Sequence, residues 1–386
     1  MEKISAITPE ILENLPSPCW LLEESLLEKN LSILSEVKRK SGVKILLALK
    51  GFAFFHEADL VNRYLDGCCA SGLNEARLAR EEYGGEVHTY SPAFDPSELE
   101  EIVEISDHIV FNSPSQIERF AHRARKISPD ISIGLRVNPQ YSEAPAEIYN
   151  PCAPYSRLGT TADKMDRGIA ETIDGLHFHA LCEQGPEALS GVLKAFEDRF
   201  GEWLPSMKWV NFGGGHHITR DGYDIESLVD ILKDFGRRYP GIEIYLEPGE
   251  AVGWETGPLV ATVLDIVHNG MDIAILDISA EAHMPDTIIM PYRAEVRGAS
   301  EAGVKRYTYR LAGNTCLAGD IMGDYSFDHE LEIGERVIFE DQMHYTMVKA
   351  SMFNGIGLPA MAILRTDKKV DIVREFGYED FRNRLG

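Results

Sequence analysis

The chain has 386 residues, 38 Lys and Arg against 62 Asp and Glu, a net charge of −24, and an apolar content of 44%. That balance belongs to a folded, water-soluble protein long enough for one large and one small domain. So acidic a chain argues against a binder of nucleic-acid phosphates or of anionic membrane, both of which are held by Lys and Arg, and permits a cationic partner. The cysteines (Cys19, Cys68, Cys69, Cys152, Cys182 and Cys316) form no C-x-x-C pair, the pattern of a reducing compartment. The first residues carry mixed charge without a signal-peptide core, and no run approaches the ~18 apolar residues of a spanning helix, so the expected location is cytoplasmic.

In chain order, 18–22 reads as a strand and 24–39 as an amphipathic helix. Eight β-rich runs follow, at 43–50, 67–70, 86–90, 108–111, 131–138, 175–179, 208–212 and 242–247. Between them lie segments with apolar residues at helical spacing, such as 59–64, 73–83, 114–126, 187–200 and 225–239. Ser91-Pro92 and Ser113-Pro114 read as turn or helix-start signals. Eight strands alternating with helices predict a (β/α)8 barrel, with an open doubly wound sheet as the alternative. Beyond about residue 265 the texture changes, and 272–278, 307–311, 335–339 and 345–350 read as strands among Gly and Pro. The expected class is α/β: a TIM-like (β/α)8 barrel at 25–265 and an antiparallel β domain formed by 1–24 with 266–386.

Reactive residues of such a barrel gather at the carboxyl ends of its strands. The first run ends in Lys50, either a snorkelling edge residue or a desolvated, neutral amine that can condense with an aldehyde. The second ends in Cys69-Ala70-Ser71-Gly72 and the fifth in Arg136-Val137-Asn138-Pro139. The sixth carries His177 and His179 on one face, because the strand period is two. That pair suits a metal, a ring stacked on a cofactor, or plain core histidines. The seventh runs into Gly213-Gly214-Gly215-His216-His217, where missing Cβ atoms let a phosphate approach the backbone at the usual phosphate end of a barrel. The eighth ends in Glu247-Pro248-Gly249-Glu250, with Glu247 capping a helix or facing a cationic heterocycle. Pyridoxal 5'-phosphate uses all of these together: an aldehyde for Lys50, a ring face for His179, a phosphate for the glycines and a pyridine nitrogen for Glu247. A metal-dependent barrel hydrolase built on His177, His179, His216 and His217 leaves Lys50 and the glycines unused.

Ala48-Leu49-Lys50, Ser71-Gly72, Arg136-Val137-Asn138-Pro139, His179, Gly213-Gly214-Gly215 and Glu247-Pro248-Gly249 together resemble the fold-type III pyridoxal-phosphate decarboxylases. That is the family of the diaminopimelate and eukaryotic ornithine decarboxylases. Tyr155-Ser156-Arg157-Leu158-Gly159, Asn314-Thr315-Cys316 with Asp320, and His344-Tyr345-Thr346 extend the likeness over nearly the whole chain. Lys50-Gly51-Phe52-Ala53-Phe54, His179-Ala180-Leu181-Cys182-Glu183 and His283-Met284-Pro285-Asp286 look most like the branch acting on carboxylated polyamines.

The resemblance implies an alanine racemase-like fold, a carboxy-lyase activity, and a homodimer whose sites are each completed by a cysteine loop from the other copy. It implies Lys50, Glu247 and Cys316 as catalytic residues, Cys316 as the proton donor. Lys50, Arg136, His179, Gly213, Gly214, Gly215, Glu247 and Tyr345 become the cofactor contacts, and no metal is expected. Glu247, His283, Asp286 and Asp320 become the contacts of a cationic, carboxylated polyamine, with Glu281 and Glu183 near the same amines. Three positions depart from the ornithine pattern: Glu250 replaces a phosphate-binding Arg, Cys182 replaces a Ser, and Leu317 replaces the acidic residue after the cysteine. The last argues against ornithine as substrate, and acidic rather than basic loops argue against diaminopimelate. A non-catalytic cofactor carrier is the remaining alternative, and it has no need of Cys316.

Overall fold

The computed structural model describes residues 7–386, and the chain divides into two compact units. One is Asn30–Val252; the other combines the chain up to Lys29 with Gly253–Gly386.

The first unit is a closed barrel of eight parallel strands: Lys44–Ala48, Gly67–Ala70, Glu86–Tyr90, His108–Phe111, Ser132–Arg136, Gly175–His177, Trp209–Asn211 and Glu243–Leu246. All eight expected runs are present, and pairing of the first with the last excludes the open sheet. The runs are short and apolar because a parallel strand here is covered on both faces; Ile45, Leu46 and Leu47 are fully buried. The helices follow their local chemistry. Ser113 caps Pro114–Ile127 by accepting from Gln116 N–H, with Pro114 in the first turn. Asp224 caps Ile225–Arg238 in the same way, and Leu228, Val229, Leu232 and Phe235 form its buried stripe.

The lumen is a packed core in which Leu46, Val110, Trp209 and Tyr245 cluster. Gly134 and Gly175 make room for the Trp209 indole, because a Cβ at either would lie 2.4 or 2.1 Å from it. Below them the amino ends of the strands form a polar floor. Lys44 bridges Glu86 and Glu243, the latter at 3.0 Å, while His88 stacks on His108 with ring centroids 3.8 Å apart and planes inclined by 12°.

The second unit is a mixed, mostly antiparallel nine-stranded sheet. Cys19–Glu23 enters it as expected, running parallel to Ala360–Leu364 and antiparallel to Leu259–His268. Leu259–His268 also pairs with Asp272–Leu276 and Arg336–Phe339. The expected boundary at 265 therefore falls inside a strand whose hydrogen bonds all go to the sheet. Tyr307–Ala312 pairs with Asp272–Leu276 and Ile321–Phe327.

One expected strand is absent. Within 345–350 the chain forms the helical turn Thr346–Lys349, because Tyr345 adopts φ +44° and the Thr346 hydroxyl donates back to Gln342 Oε1 at 3.0 Å. No helix among the described residues is long and apolar enough to cross a membrane.

Candidate active site

The carboxyl ends of the barrel strands bring the expected cofactor residues of the first unit together. Lys44, Leu46, Ala48 and Lys50 alternate onto the lumen side, polar at the floor and at the mouth. Barrel closure sets the Lys50 turn against the Glu247 segment. Ala48 N–H donates to Pro248 O at 2.9 Å, and a Cβ on Gly51 would stand 2.9 Å from Gly249. Lys50 is open to solvent at the mouth, as an attacking amine must be, yet protein crowds its ammonium. Desolvation first, and the charge of Arg136 second, push its pKa below the ordinary lysine value.

His177, Asn211 and Tyr245 are lateral neighbours on adjacent strands, and Glu247 follows on the same face one step above Tyr245. Asn211 Nδ2 donates to Glu247 Oε1 at 2.7 Å, and His177 Nε2 lies 3.2 Å from Glu247 Oε2. Burial opposes the Glu247 charge, but His177, His88 and the Asn211 amide outweigh it and hold the carboxyl below its ordinary value. At neutral pH this site keeps an anion.

His179 Nδ1 accepts the Gly214 N–H at 2.8 Å. Burial first, then the charges of Lys50 and Arg136, keep its ring neutral. Arg136 lies with its guanidinium carbon 4.5 Å from the centre of the Tyr90 ring and donates to His179 O at 3.4 Å. The glycine turn is tighter than an open cradle. Gly213 has φ +71°, and a Cβ on Gly214 would stand 2.2 Å from Glu247 O. The N–H groups of Gly213 and Gly214 donate to Asn211 and His179, so those two hold the turn in shape rather than pointing at a phosphate.

The sheet unit carries the remaining expected residues. Cys316 is exposed in the 313–320 loop, its N–H donating to Asn354 Oδ1 at 2.8 Å. Asp320 is buried and pins that loop. It accepts from Ala280 N at 2.6 Å, Ser279 Oγ at 3.0 Å, Thr315 N at 3.2 Å and Thr315 Oγ1 at 2.5 Å. Asp286 is held at 2.7 and 2.8 Å by the Lys349 ammonium. His283 is buried, its Nδ1 accepting from Ser279 N at 3.3 Å, and burial lowers its pKa to about 4. Glu281 keeps a buried Oε2 with no hydrogen-bond partner. Lys349 Nζ sits 5.2 Å from the centre of the Tyr345 ring.

The histidine quartet of the hydrolase alternative does not converge. Among the described residues the groupings close enough to share an ion are Glu86 with His88 and His108, and Glu183 with His217 and Glu250. Two residues went unremarked as site residues in the sequence, Asn211 and Tyr90. Both sit at strand carboxyl ends, which was the only available signal.

The donor set fits pyridoxal phosphate on its own chemistry. A crowded, solvent-open amine suits the aldehyde, and a buried anion suits a ring nitrogen. A neutral imidazole beside a turn without Cβ atoms suits a flat ring with a bulky tail. The site and fold thus define a class, and comparison with known proteins agrees. Residues 41–342 match the family described as pyridoxal-dependent decarboxylase, C-terminal sheet domain, and the chain belongs to that family. A carboxynorspermidine/carboxyspermidine decarboxylase from Campylobacter jejuni subsp. jejuni is 51% identical, across 96% of this chain and 99% of that protein. A carboxyaminopropylagmatine decarboxylase from Synechocystis is 44% identical across 99% of this chain and 100% of that protein. The crystal structure of the Campylobacter jejuni carboxynorspermidine decarboxylase complexed with norspermidine matches with TM-score 0.89 and 49% identity, covering 96% of this chain and 100% of that one.

Proposed function

We propose that the chain decarboxylates carboxynorspermidine and carboxyspermidine to norspermidine and spermidine, a step of polyamine biosynthesis. The observation that carries this reading is 51% identity across 96% of the chain to a relative of that activity. When bound, pyridoxal phosphate supplies an aldehyde for amine capture and a protonated ring that accepts electron density from the carbon losing its carboxylate. Lys50 would hold that aldehyde through Nζ in the resting enzyme. Glu247 would hold a proton on the ring nitrogen, and His179 would cover the ring face. Cys316 delivers a proton to the product carbon as a general acid, and each site of a homodimer takes this cysteine from the other copy.

The substrate's remaining amines are cations at neutral pH and need carboxylates. Asp286 and Asp320 already have partners within the sheet unit, so meeting an amine means sharing or exchanging them. Glu281 has an oxygen to spare, and a buried carboxylate oxygen left without a donor is costly. It is therefore the foremost amine contact, with His283 shaping the same region.

Carbon dioxide release over a panel of carboxylated polyamines and amino acids tests the reading. Carboxynorspermidine and carboxyspermidine should exceed diaminopimelate, ornithine and carboxyaminopropylagmatine by at least tenfold in kcat/KM. They should lie within about 200-fold of each other, since one methylene is worth ~1–3 kcal/mol. A preference for carboxyaminopropylagmatine or diaminopimelate would replace the assignment.

A further inference from the structure

The carboxylate assigned to the ring nitrogen is held from two strands at once. Asn211, on Trp209–Asn211, reaches Glu247 Oε1 at 2.7 Å; His177, on Gly175–His177, reaches Oε2 at 3.2 Å. The Asn211 amide can face only one way. Its Oδ1 takes the Gly213 N–H at 2.8 Å, and a backbone N–H can only donate, so the amide's own donors are turned to Glu247. One side chain therefore ties the carboxylate to the glycine turn.

His177 is buried and walled on one side by the Tyr90 ring, at 5.6 Å between centroids, with the Arg136 cation on that tyrosine. Burial and the charges of Arg136 and Lys50 disfavour the imidazolium, although Glu247 favours it. A neutral imidazole this close to the carboxylate can turn an N–H dipole toward it without cancelling its charge, and its Nε2, not aligned as a hydrogen bond at 3.2 Å, has no other partner among the described residues.

We propose that Asn211 and His177 are positioning residues that fix the direction and charge of Glu247 toward the cofactor's ring nitrogen, Asn211 coupling that end of the site to the glycine turn. This rests on the reading of Glu247 as the ring-nitrogen partner. A buried carboxylate that loses the Asn211 hydrogen bond or the imidazole dipole beside it is pushed toward its protonated form. A protonated Glu247 would no longer hold a proton on the ring nitrogen, and the ring would accept electron density less readily.

The test uses holoenzyme loaded with pyridoxal phosphate labelled with 15N in the ring, comparing wild type, Glu247→Gln, His177→Phe, His177→Gln and Asn211→Ala. His177→Phe should shift the ring-nitrogen signal toward neutral pyridine at pH 7 and lower kcat about tenfold or more. Its KM and cofactor affinity should stay within about twofold. His177→Gln, which restores an N–H donor, should recover the wild-type signal. Asn211→Ala should show the same shift and also retain cofactor more weakly, because it alone touches the turn. Wild-type nitrogen signals and kcat in both His177→Phe and Asn211→Ala would overturn the proposal. Should Asn211→Ala fail to fold, the two His177 variants decide. A wild-type nitrogen signal in Glu247→Gln would instead overturn the Glu247 reading, a result the His177 variants do not mimic.

Discussion

Glu247 is a buried carboxyl whose pKa is held below its ordinary value, so at neutral pH it is ionised. Glu247→Gln keeps the shape and loses the charge. Cofactor should stay bound, by its visible absorption, while kcat falls at least a hundredfold, about 2.7 kcal/mol of transition-state stabilisation, with KM within a few-fold. Near-wild-type turnover would mean that something else protonates the ring. Lys50→Ala should abolish turnover, and borohydride should fix no pyridoxyl group to the peptide spanning position 50, whereas wild type is labelled there. The placement of both residues was legible in the sequence because each closes an apolar strand at the carboxyl end of the barrel. Asn211 and His177 were not legible as a pair, since their common hold on Glu247 depends on lateral register across three strands. The acidic candidates show a further limit. A sequence reveals the sign of Asp286 but not that Lys349 already neutralises it, and Asp320 turns out to be a loop anchor.

Among the barrel strands Gly67–Ala70, Glu86–Tyr90 and His108–Phe111 coincide with the expected runs, and the other five fall inside theirs by up to two residues at an end. The reading failed where one residue overrides a pattern, as the left-handed Tyr345 does at the start of Thr346–Lys349. Ile321–Phe327 was missed because Gly323, Asp324 and Ser326 dilute its β character. The glycine turn offers a test at this scale. Gly214→Ala places a methyl 2.2 Å from Glu247 O, so the backbone must shift, and cofactor retention on dialysis should fall with a loss of about 1–3 kcal/mol in stability. Unchanged cofactor retention would show that the turn has slack. The barrel floor offers another. Burial and the neighbouring His88 press the His108 pKa to about 2. Its folded pKa lies below the unfolded value near 6.5, so its contribution is whole above pH 6.5 and is lost as pH falls toward 2. Urea unfolding should show wild type losing more stability than His108→Phe from pH 6.5 to 4.5, by up to ~1.4 kcal/mol per pH unit. Parallel pH profiles would mean that His108 does not titrate in this way.

For the molecule as a whole, the separation of its two units in sequence frames the question of how a complete site is made. Lys50 lies in Asn30–Val252, while Cys316 lies in an exposed loop of the sheet unit. The change of texture beyond about residue 265 made two architectures legible in the sequence, and the 18–22 strand announced that the second was discontinuous. What no single chain reveals is whose cysteine serves which lysine. If each site of a homodimer borrows Cys316 from the other copy, then Cys316→Ala and Lys50→Ala chains, each inactive alone, should rescue one another. In a heterodimer of the two, one site receives both defects and the other receives neither. Random mixing makes half the dimers heterodimeric, so about a quarter of all sites should be intact and activity should recover to about a quarter of wild type. The measurement is carbon dioxide release after co-refolding equal amounts of the two variants, with each variant refolded alone as the control. Two other results would be decisive in different directions. If Cys316→Ala remains active by itself, the thiol is not the proton donor. If it is inactive and mixing restores nothing while exchange of subunits is verified by mass, Cys316 serves the lysine of its own chain, and the shared site falls while the decarboxylase assignment stands.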